Sequence, residues 1–306
     1  PNHLTSMISL SIRLTVFESE EKIVKSSGEL VQLPQPDRCR IRQENSAVEH
    51  PLGDLYAFAA NRFGGISYFS AAWGRLTSKY EAILAANINR SYPVDRHVMF
   101  TRCRAWLVVN GYSRSIELDN LIAFNAQPDN RARWLFALPA GQGCRAILEI
   151  EMEGAFNTDA VRFHFRRHCS CDRPGELPDS TPAKLILRPD LEDRINHQVT
   201  KAFAGPEQRF PAAVRSLENG FDFTPAERRL ALRPEGGSFH SQPEWYYMVD
   251  LPSERYYGLE DKTDLFSPGY FEYHLEGGQT ATLTAFADAA DRPIPDGIEW
   301  PEQREY

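Results

Sequence analysis

The sequence lacks any long run of apolar residues. A transmembrane helix needs about 20 consecutive, mostly apolar residues, and no window of the 306 residues approaches that length. A secretory signal is also missing, because the sequence begins Pro1-Asn2-His3 without a basic segment followed by an apolar one. We therefore expect a fragment of a longer protein that makes no membrane contact.

Positive charge is in the minority and is not clustered. The sequence has 34 Lys and Arg against 42 Asp and Glu, a formal net charge of -8, and no Lys/Arg run forms a stripe. Proteins that bind nucleic acids neutralise the phosphates with clustered basic residues. Nucleic acid is therefore not an expected partner, whereas a neutral ligand is compatible with this charge.

Cysteine is scarce and irregularly spaced. An odd number of cysteines in a long chain favours reduced thiols in the cytoplasm over a secreted disulfide framework. The five are Cys39, Cys103, Cys144, Cys169 and Cys171. His164 and His168 stand near the C-x-C of Cys169 and Cys171, but structural zinc sites use C-x₂-C spacing. Neighbouring arginines also oppose a cation, so we predict a solvated strand end and loop with no metal.

The usual catalytic and nucleotide-binding motifs are absent. The sequence has no G-x-S-x-G, H-E-x-x-H, P-loop or G-x-G-x-x-G, and Gly64-Gly65 is interpreted as a tight turn or bulge. Glycoside hydrolysis needs two carboxylates. The only dense acidic candidates flanked by aromatic residues are Glu254, Glu260, Asp261 and Asp264, of which Glu254 and Asp264 are weak catalytic candidates.

What the sequence does contain is many short strand patterns. Residues 7–17 alternate apolar and polar side chains, as in a half-buried strand. Residues 98–109 form a long strand pattern that ends at Asn110-Gly111, the strongest two-residue hairpin signal, and residues 115–124 are predicted to return. Further strands are predicted over residues 131–138, 146–152 and 160–166, and a hairpin at Gly277-Gly278 between residues 271–275 and 280–284.

Helical periodicity is weak outside residues 78–89 and 192–204, and residues 34–53 are predicted to be a long loop or linker because they are polar and rich in proline. Glu149, Glu151 and Glu153 alternate with apolar residues, as on the solvated face of a strand. The strand series predicts a mainly β protein, a large antiparallel β-sandwich with few short helices.

The most informative segment is residues 245–269, which combine aromatic residues with acids, an Arg and a Pro-Gly turn. A packed core disfavours this mixture because each buried charge needs a partner. Aromatic rings stack on the apolar face of a sugar, while carboxylates and arginine bind its hydroxyl groups. We predict a loop that contacts sugar or another domain, with Trp245, Tyr246, Glu254, Arg255 and Asp264 as contacts. Core packing for Trp245, and a Glu254–Arg255 ion pair, are the alternatives.

Four stretches resemble the N-terminal domain of prokaryotic-type glycogen debranching enzymes, the amylo-α-1,6-glucosidase family. Gly64-Gly65-Ile66-Ser67 resembles the family's G-G-Y-A-S, residues 77–86 resemble T-R-R-Y-H-G-L-L-V-A, and Leu187-Arg188-Pro189 with Arg194 and His197 resembles L-R-P…R…H. Residues 245–269 resemble W-Y…E-R…G-L-D…E-D-L-F-S-P-G. The departures are Ser78, Glu81 and Thr263, where the family usually has Arg, His and Glu, and they indicate a divergent subgroup.

The resemblance implies a fold, an activity and contacts. It implies a super-sandwich of the glucoamylase N-terminal type, which lies before an (α/α) toroid that carries the catalytic acid and base for hydrolysis of α-1,6 branch points. The partners are then a glycogen-like α-glucan and the protein's own C-terminal catalytic domain, with no cofactor. It adds Lys79 and Tyr80 as weaker contacts and leaves this segment without the catalytic residues.

The expected organisation has three parts. Residues 1–50 form an N-terminal strand and linker, 51–290 form the sandwich, and 291–306 lead toward the missing toroid. Two other functions stay open: a stand-alone carbohydrate-binding or scaffold sandwich, and a sandwich enzyme such as a sugar epimerase or lyase.

Overall fold

Two large antiparallel sheets form most of the computed structural model, which describes residues 55–89, 91–92, 95–171 and 173–302 and the backbone of 39–43 and 46–50. The predicted strand over residues 7–17 lies outside the described residues. The expected mainly β, sandwich-like class is confirmed. In the described part of the chain no helix has the length and apolar character needed to cross a membrane.

Sheet I has eight strands. In spatial order they are β13 (Val214–Leu217), β14 (Gly220–Phe223), β15 (Arg228–Glu235), β18 (Thr280–Ala289), β11 (Ala160–Arg167), β10 (Cys144–Gly154), β9 (Arg131–Gly141) and β8 (Leu121–Gln127).

Sheet II also has eight strands. Seven of them lie in the spatial order β16 (Gly237–Asp250), β17 (Lys262–Leu275), β12 (Ala183–Ile195), β6 (His97–Val109), β5 (Ala82–Ala86), β4 (Ile66–Ser70) and β3 (Tyr56–Ala60). The short strand β7 (Tyr112–Ser115) pairs with β6 outside this order.

The main core lies between the two sheets. Alternating apolar residues of β9, β10 and β11 in sheet I meet those of β4, β6, β12 and β17 in sheet II. Along a strand every second side chain points to the same face, so the alternation that buries one face leaves the other face polar. On β6 this places Cys103, Ala105 and Leu107 in the core and Arg102 and Arg104 on the outer face of sheet II.

The hairpin at Asn110-Gly111 is confirmed, but the returning strand is divided between the sheets. Asn110 (φ 49°) and Gly111 (φ 80°) both adopt positive φ, as a two-residue turn of this type requires. β7 pairs with β6 only as far as Ser115. A 3₁₀ turn, Leu118–Asn120, then carries the chain into β8 of sheet I.

The predicted hairpin at Gly277-Gly278 is wrong. β17 pairs with β16 and β12 in sheet II, whereas β18 pairs with β11 and β15 in sheet I. The turn therefore links two strands that face each other across the core. Each strand has apolar residues that face the core, such as Phe271 of β17 and Leu283 of β18. The sequence on either side of the turn therefore alternates as it would in a hairpin.

Helix predictions from weak periodicity are also wrong. Residues 82–86 form β5, in which every residue is buried, and Glu192 belongs to β12. An alanine-rich run favours helix by intrinsic propensity, but burial on both faces allows a strand. The two described α-helices are α1 (Pro206–Ala212) and α2 (Pro252–Tyr256). Within the predicted linker, β1 (Cys39–Gln43) and β2 (Ser46–His50) form a separate two-stranded sheet.

Candidate functional site

Residues 245–269 are not a loop in the structure. They comprise the end of β16, the helix α2 and the first part of β17. α2 connects the two strands, which pair directly with each other. The aromatic and charged residues of the segment are therefore distributed over two faces of a sheet and a helical turn.

Trp245 packs on the core side of sheet II. Its ring stacks on Phe210 of α1 at a centroid distance of 5.6 Å and lies 5.2 Å from the ring of Phe266. It is half-buried against the main core. The geometry therefore favours the core-packing alternative for this residue.

Tyr246 points to the opposite, outer face because adjacent residues of a strand alternate. Its side chain is 49% exposed. The guanidinium carbons of Arg102 and Arg104 lie 5.1 Å and 5.4 Å from the centre of the tyrosine ring. This distance is within the range of a cation–π interaction, so the two cations hold the ring in place.

Asp190 fixes both arginines. It is fully buried on β12, and its two oxygens accept from Arg102 Nε at 2.6 Å and Arg104 Nη2 at 2.7 Å. Glu244 accepts from Arg104 Nη2 at 2.8 Å. Burial alone would lower the pKa of Arg104, but the charge and hydrogen bonds of Asp190 and Glu244 outweigh it and raise the pKa above its usual value.

A groove of about 410 Å³ lies beside these residues on the outer face of sheet II. We call it the arginine groove, and the lining residues relevant to binding are Arg75, Arg102, Arg104, Trp106, Glu117, Asp119 and Tyr246. Only Tyr246 was predicted from the sequence. The alternating pattern Arg102-x-Arg104-x-Trp106 on β6 was the sequence signal for those three residues, since it places two donors and an aromatic ring on one face of the strand.

Glu254 is buried and serves as a brace. Its carboxylate accepts from Ser78 Oγ at 2.8 Å and from the Lys79 backbone N–H at 3.2 Å. The predicted Glu254–Arg255 ion pair is wrong, because Arg255 instead donates to Asp250 and Asp261, each at 2.6 Å. Consecutive residues of a helix point in different directions, which separates the two side chains.

Asp264 is also buried, and both of its oxygens are used. Oδ1 accepts from the backbone N–H of Met248 and Oδ2 from that of Ala202, each at 2.8 Å. Met248 has a φ of 56°, a conformation that costs free energy for a residue with a side chain. Asp264 thus stabilises the bulge of β16 between Tyr246 and Val249, which is a structural role.

Thr263 donates to a buried carboxylate. Its hydroxyl donates to Glu192 Oε1 at 2.8 Å and accepts from the Thr200 backbone N–H at 3.1 Å. Burial raises the pKa of Glu192, but the charge and hydrogen bond of Arg194 and hydrogen bonds from Thr101 and Thr263 outweigh it and keep the pKa low. A glutamate in place of Thr263 would put a second negative charge against Glu192.

Lys79 and Tyr80 lie beside the Glu254 brace. The Lys79 carbonyl accepts from Arg194 Nη2 at 2.7 Å, and its ammonium lies 5.4 Å from the centre of the Tyr80 ring. The Tyr80 hydroxyl is 3.4 Å from His197 Nδ1. No described contact joins this pair to Tyr246, so the predicted contact residues do not form a single site.

The histidines and cysteines of the C-x-C region do not converge. His164 Nε2 lies 3.2 Å from Glu153, and His168 Nε2 lies 3.4 Å from Glu149. Over the described residues no group of three or more His, Cys, Asp or Glu is arranged to hold a metal ion. The glutamate ladder differs from a simple solvated face, since Glu153 is buried and pairs with Arg162.

Comparison with known proteins identifies the family. The family described as glycogen debranching enzyme N terminal matches residues 58–282. A search of curated proteins gave no significant match. A solved structure titled as a polysaccharide lyase is 8% identical with a TM-score of 0.29, over 77% of this chain and 32% of that one. The chain thus spans about a third of that protein, and the likeness carries no functional argument. Because the family match covers most of its length, this chain belongs to the glycogen debranching enzyme N-terminal family.

Proposed function

We propose that this chain is the substrate-side β-sandwich domain of an amylo-α-1,6-glucosidase that hydrolyses the α-1,6 branch points of glycogen-like glucans. The family match over residues 58–282 carries the proposal. The division of the chain at residues 50 and 290, a cytoplasmic location and a catalytic domain as partner belong to the same proposal. The free thiols of Cys103, Cys144, Cys169 and Cys171 support a reducing compartment.

The arginine groove is the surface at which we place glucan contact. Trp106 and Tyr246 supply aromatic faces, and Arg75, Glu117 and Asp119 supply exposed donors and acceptors. Sugar sites combine apolar ring faces with a few polar groups that fix the hydroxyl groups. Positive and negative side chains are both present around the groove, which suits a neutral ligand rather than a polyanion.

In this proposal the carboxylates that hydrolyse the glucan lie outside this segment. Glycoside hydrolysis requires an acid and a base or nucleophile on either side of the scissile bond. The carboxylate of Glu254 accepts hydrogen bonds from Ser78 Oγ and the Lys79 backbone N–H, and both oxygens of Asp264 accept from backbone N–H groups. In this proposal the domain binds and orients the glucan, and a second domain cleaves it without a cofactor.

Binding to glycogen tests the role of the groove. Tyr246→Ala and Trp106→Ala should each weaken retention in an affinity gel containing glycogen, by about fivefold for the loss of one stacked ring. Tyr112→Ala is the matched control, because Tyr112 is exposed on β7 and does not line the groove. Equal retention of all three variants and the unmodified chain would remove the groove from the proposal.

Activity assays separate the competing functions. The chain alone should release no glucose from a branched dextrin and should not convert free sugars, whereas the longer protein that carries it should cleave α-1,6-linked glucose. Turnover by the chain alone would favour a sandwich epimerase, lyase or hydrolase. Glycogen binding by a natural protein that ends with this domain would favour a stand-alone binding module.

A further inference from the structure

The arginine groove adjoins a second groove at Arg75. This second groove is open to solvent and has a volume of about 360 Å³, and we call it the tyrosine groove. The lining residues that matter here are Tyr56, Arg75, Thr77, Tyr256 and Tyr257. Arg75 lines both grooves, so the two grooves meet at one side chain.

Three tyrosines line the tyrosine groove. Tyr256 is 83% exposed and Tyr257 is 73% exposed, and their rings meet edge to face at 5.1 Å. Tyr56 is backed by Tyr68, whose ring stacks on it at 4.8 Å. Rings of this kind offer an apolar face with a hydroxyl at the edge, the combination that matches a sugar ring and its hydroxyl groups.

The turn that carries Tyr256 and Tyr257 is held firmly. α2 is tied to the preceding region by the Glu254 brace and by the Ser253 backbone N–H, which donates to the Thr77 carbonyl at 3.0 Å. On its other side Arg255 bridges Asp250 and Asp261. A preorganised turn presents its aromatic rings with little ordering cost on binding, so exposure of the two tyrosines does not imply a loose segment.

Arg75 has unused hydrogen-bond donors at the junction of the two grooves. Its side chain is exposed, and within the described residues it makes no ion pair and no side-chain hydrogen bond. Its neighbours Arg102 and Arg104 are instead committed to Asp190. The planar guanidinium of Arg75 is therefore available to hydrogen-bond the oxygens of a ligand that crosses from one groove to the other.

We propose that the arginine groove and the tyrosine groove form one extended site for a linear α-1,4-glucan segment, with Arg75 between them. This inference rests on the proposed glucan contact at the arginine groove and adds a second subsite to it. Each groove has the volume of a site for one small ligand, so the pair suits an oligosaccharide of several units.

Chain-length dependence tests the extended site. Titration calorimetry of the full chain should show maltoheptaose binding at least about tenfold more tightly than maltose, because only the longer sugar reaches both grooves. The double variant Tyr256→Ala/Tyr257→Ala should lose about fivefold or more in affinity for maltoheptaose and keep its affinity for maltose. Tyr246→Ala should weaken both sugars.

Phe203→Ala provides the matched control, since Phe203 is 82% exposed and lines neither groove. If the double variant binds maltoheptaose as the unmodified chain does, the tyrosine groove is not part of the site, while the arginine groove stands. If neither sugar binds the unmodified chain, the proposed glucan contact fails and the extended site fails with it. Unchanged thermal unfolding of the variants excludes misfolding.

Discussion

At the scale of the residue, burial and hydrogen-bond partners separate the carboxylates of residues 245–269. Glu254 and Asp264 lie inside the protein and bind backbone N–H groups, whereas Glu260 is exposed and pairs with Lys201 at 2.9 Å. A buried carboxylate that loses its partners is costly, and so is a buried donor left without its acceptor. The two buried acids are therefore structural residues of this domain.

Replacement of Glu254 tests this assignment. Glu254→Ala removes the acceptor of Ser78 Oγ and of the Lys79 N–H and should lower the free energy of unfolding by about 2–3 kcal/mol. Glu260→Ala, the control, should change it by less than about 1 kcal/mol because its ion pair is exposed. Urea denaturation measures both values, and equal small losses would contradict the brace.

Glu81 is a second residue whose environment is unusual. It is fully buried immediately before β5. Burial raises its pKa, although hydrogen bonds from Thr77 oppose the shift. None of the ion pairs among the described residues includes it. In the unfolded chain the same group titrates near its ordinary value of 4.5. The folded state therefore favours the protonated form of Glu81 more than the unfolded chain does.

This pKa shift predicts a pH dependence. Stability from protonated Glu81 is complete below pH about 4.5 and is lost as the pH rises through the raised native pKa. Glu81→Gln mimics the protonated form, so its stability relative to the unmodified chain should increase between pH 4 and the native pKa and then level off. Thermal unfolding of both proteins over this range measures the difference, and a constant difference would show that Glu81 does not titrate there.

At the scale of the element, turn chemistry explains where strands begin and end. Gly65 precedes β4 at a point where a side chain has no room, because a Cβ there would lie 1.7 Å from Asp159 Oδ1. Asp159 in turn accepts from Asn61 Nδ2 at 2.7 Å and the Asn87 N–H at 3.1 Å. The Gly64-Gly65 turn that the sequence resemblance relies on is thus a packing requirement between the two sheets.

Gly111 is required for a different reason, its backbone conformation. A Cβ at Gly111 meets nothing within 4 Å, but the φ of 80° is unfavourable for any residue with a side chain. Gly111→Ala should therefore lower the free energy of unfolding by about 1–2 kcal/mol. Gly297→Ala is the control, since Gly297 also has open space and no positive φ. Equal effects in urea denaturation would rule out conformational strain as the cause.

At the scale of the whole molecule, aromatic contacts join the two sheets. Trp134 of β9 is fully buried and stacks on Phe69 of β4 at 5.7 Å, and Trp73 meets it edge to face at 5.5 Å. Its indole N–H donates to the Ala71 carbonyl at 3.0 Å. One residue of sheet I thus contacts several groups of the sheet II region, and its ring contributes directly to sheet packing.

Truncation of Trp134 should therefore destabilise the whole sandwich. We expect Trp134→Ala to lower the free energy of unfolding by about 3–5 kcal/mol, through lost burial and the cavity that remains. Phe203→Ala should change it by no more than about 0.5 kcal/mol, because that ring is exposed. Guanidinium denaturation gives both values, and a loss below 1 kcal/mol for Trp134→Ala would mean that the sheets pack without it.

The sequence by itself determined the local features of this protein. Alternation of apolar side chains identified the strands β6, β9, β10 and β11, and Asn110-Gly111 identified the turn after β6, because both depend on neighbouring residues alone. The motifs around residues 64–86, 187–197 and 245–269 identified the family, which the match over residues 58–282 confirms.

The tertiary structure alone decided which sheet each strand joins and which residues share a surface. β17 and β18 have a hairpin pattern but lie in opposite sheets, since pairing depends on partners far along the chain. Glu254 contacts Lys79 across 175 positions, and Tyr246 meets Arg102 and Arg104 of β6. Such contacts arise from long-range packing, which local periodicity does not encode. They join the predicted Tyr246 to Arg102 and Arg104, which the sequence pattern had left unassigned.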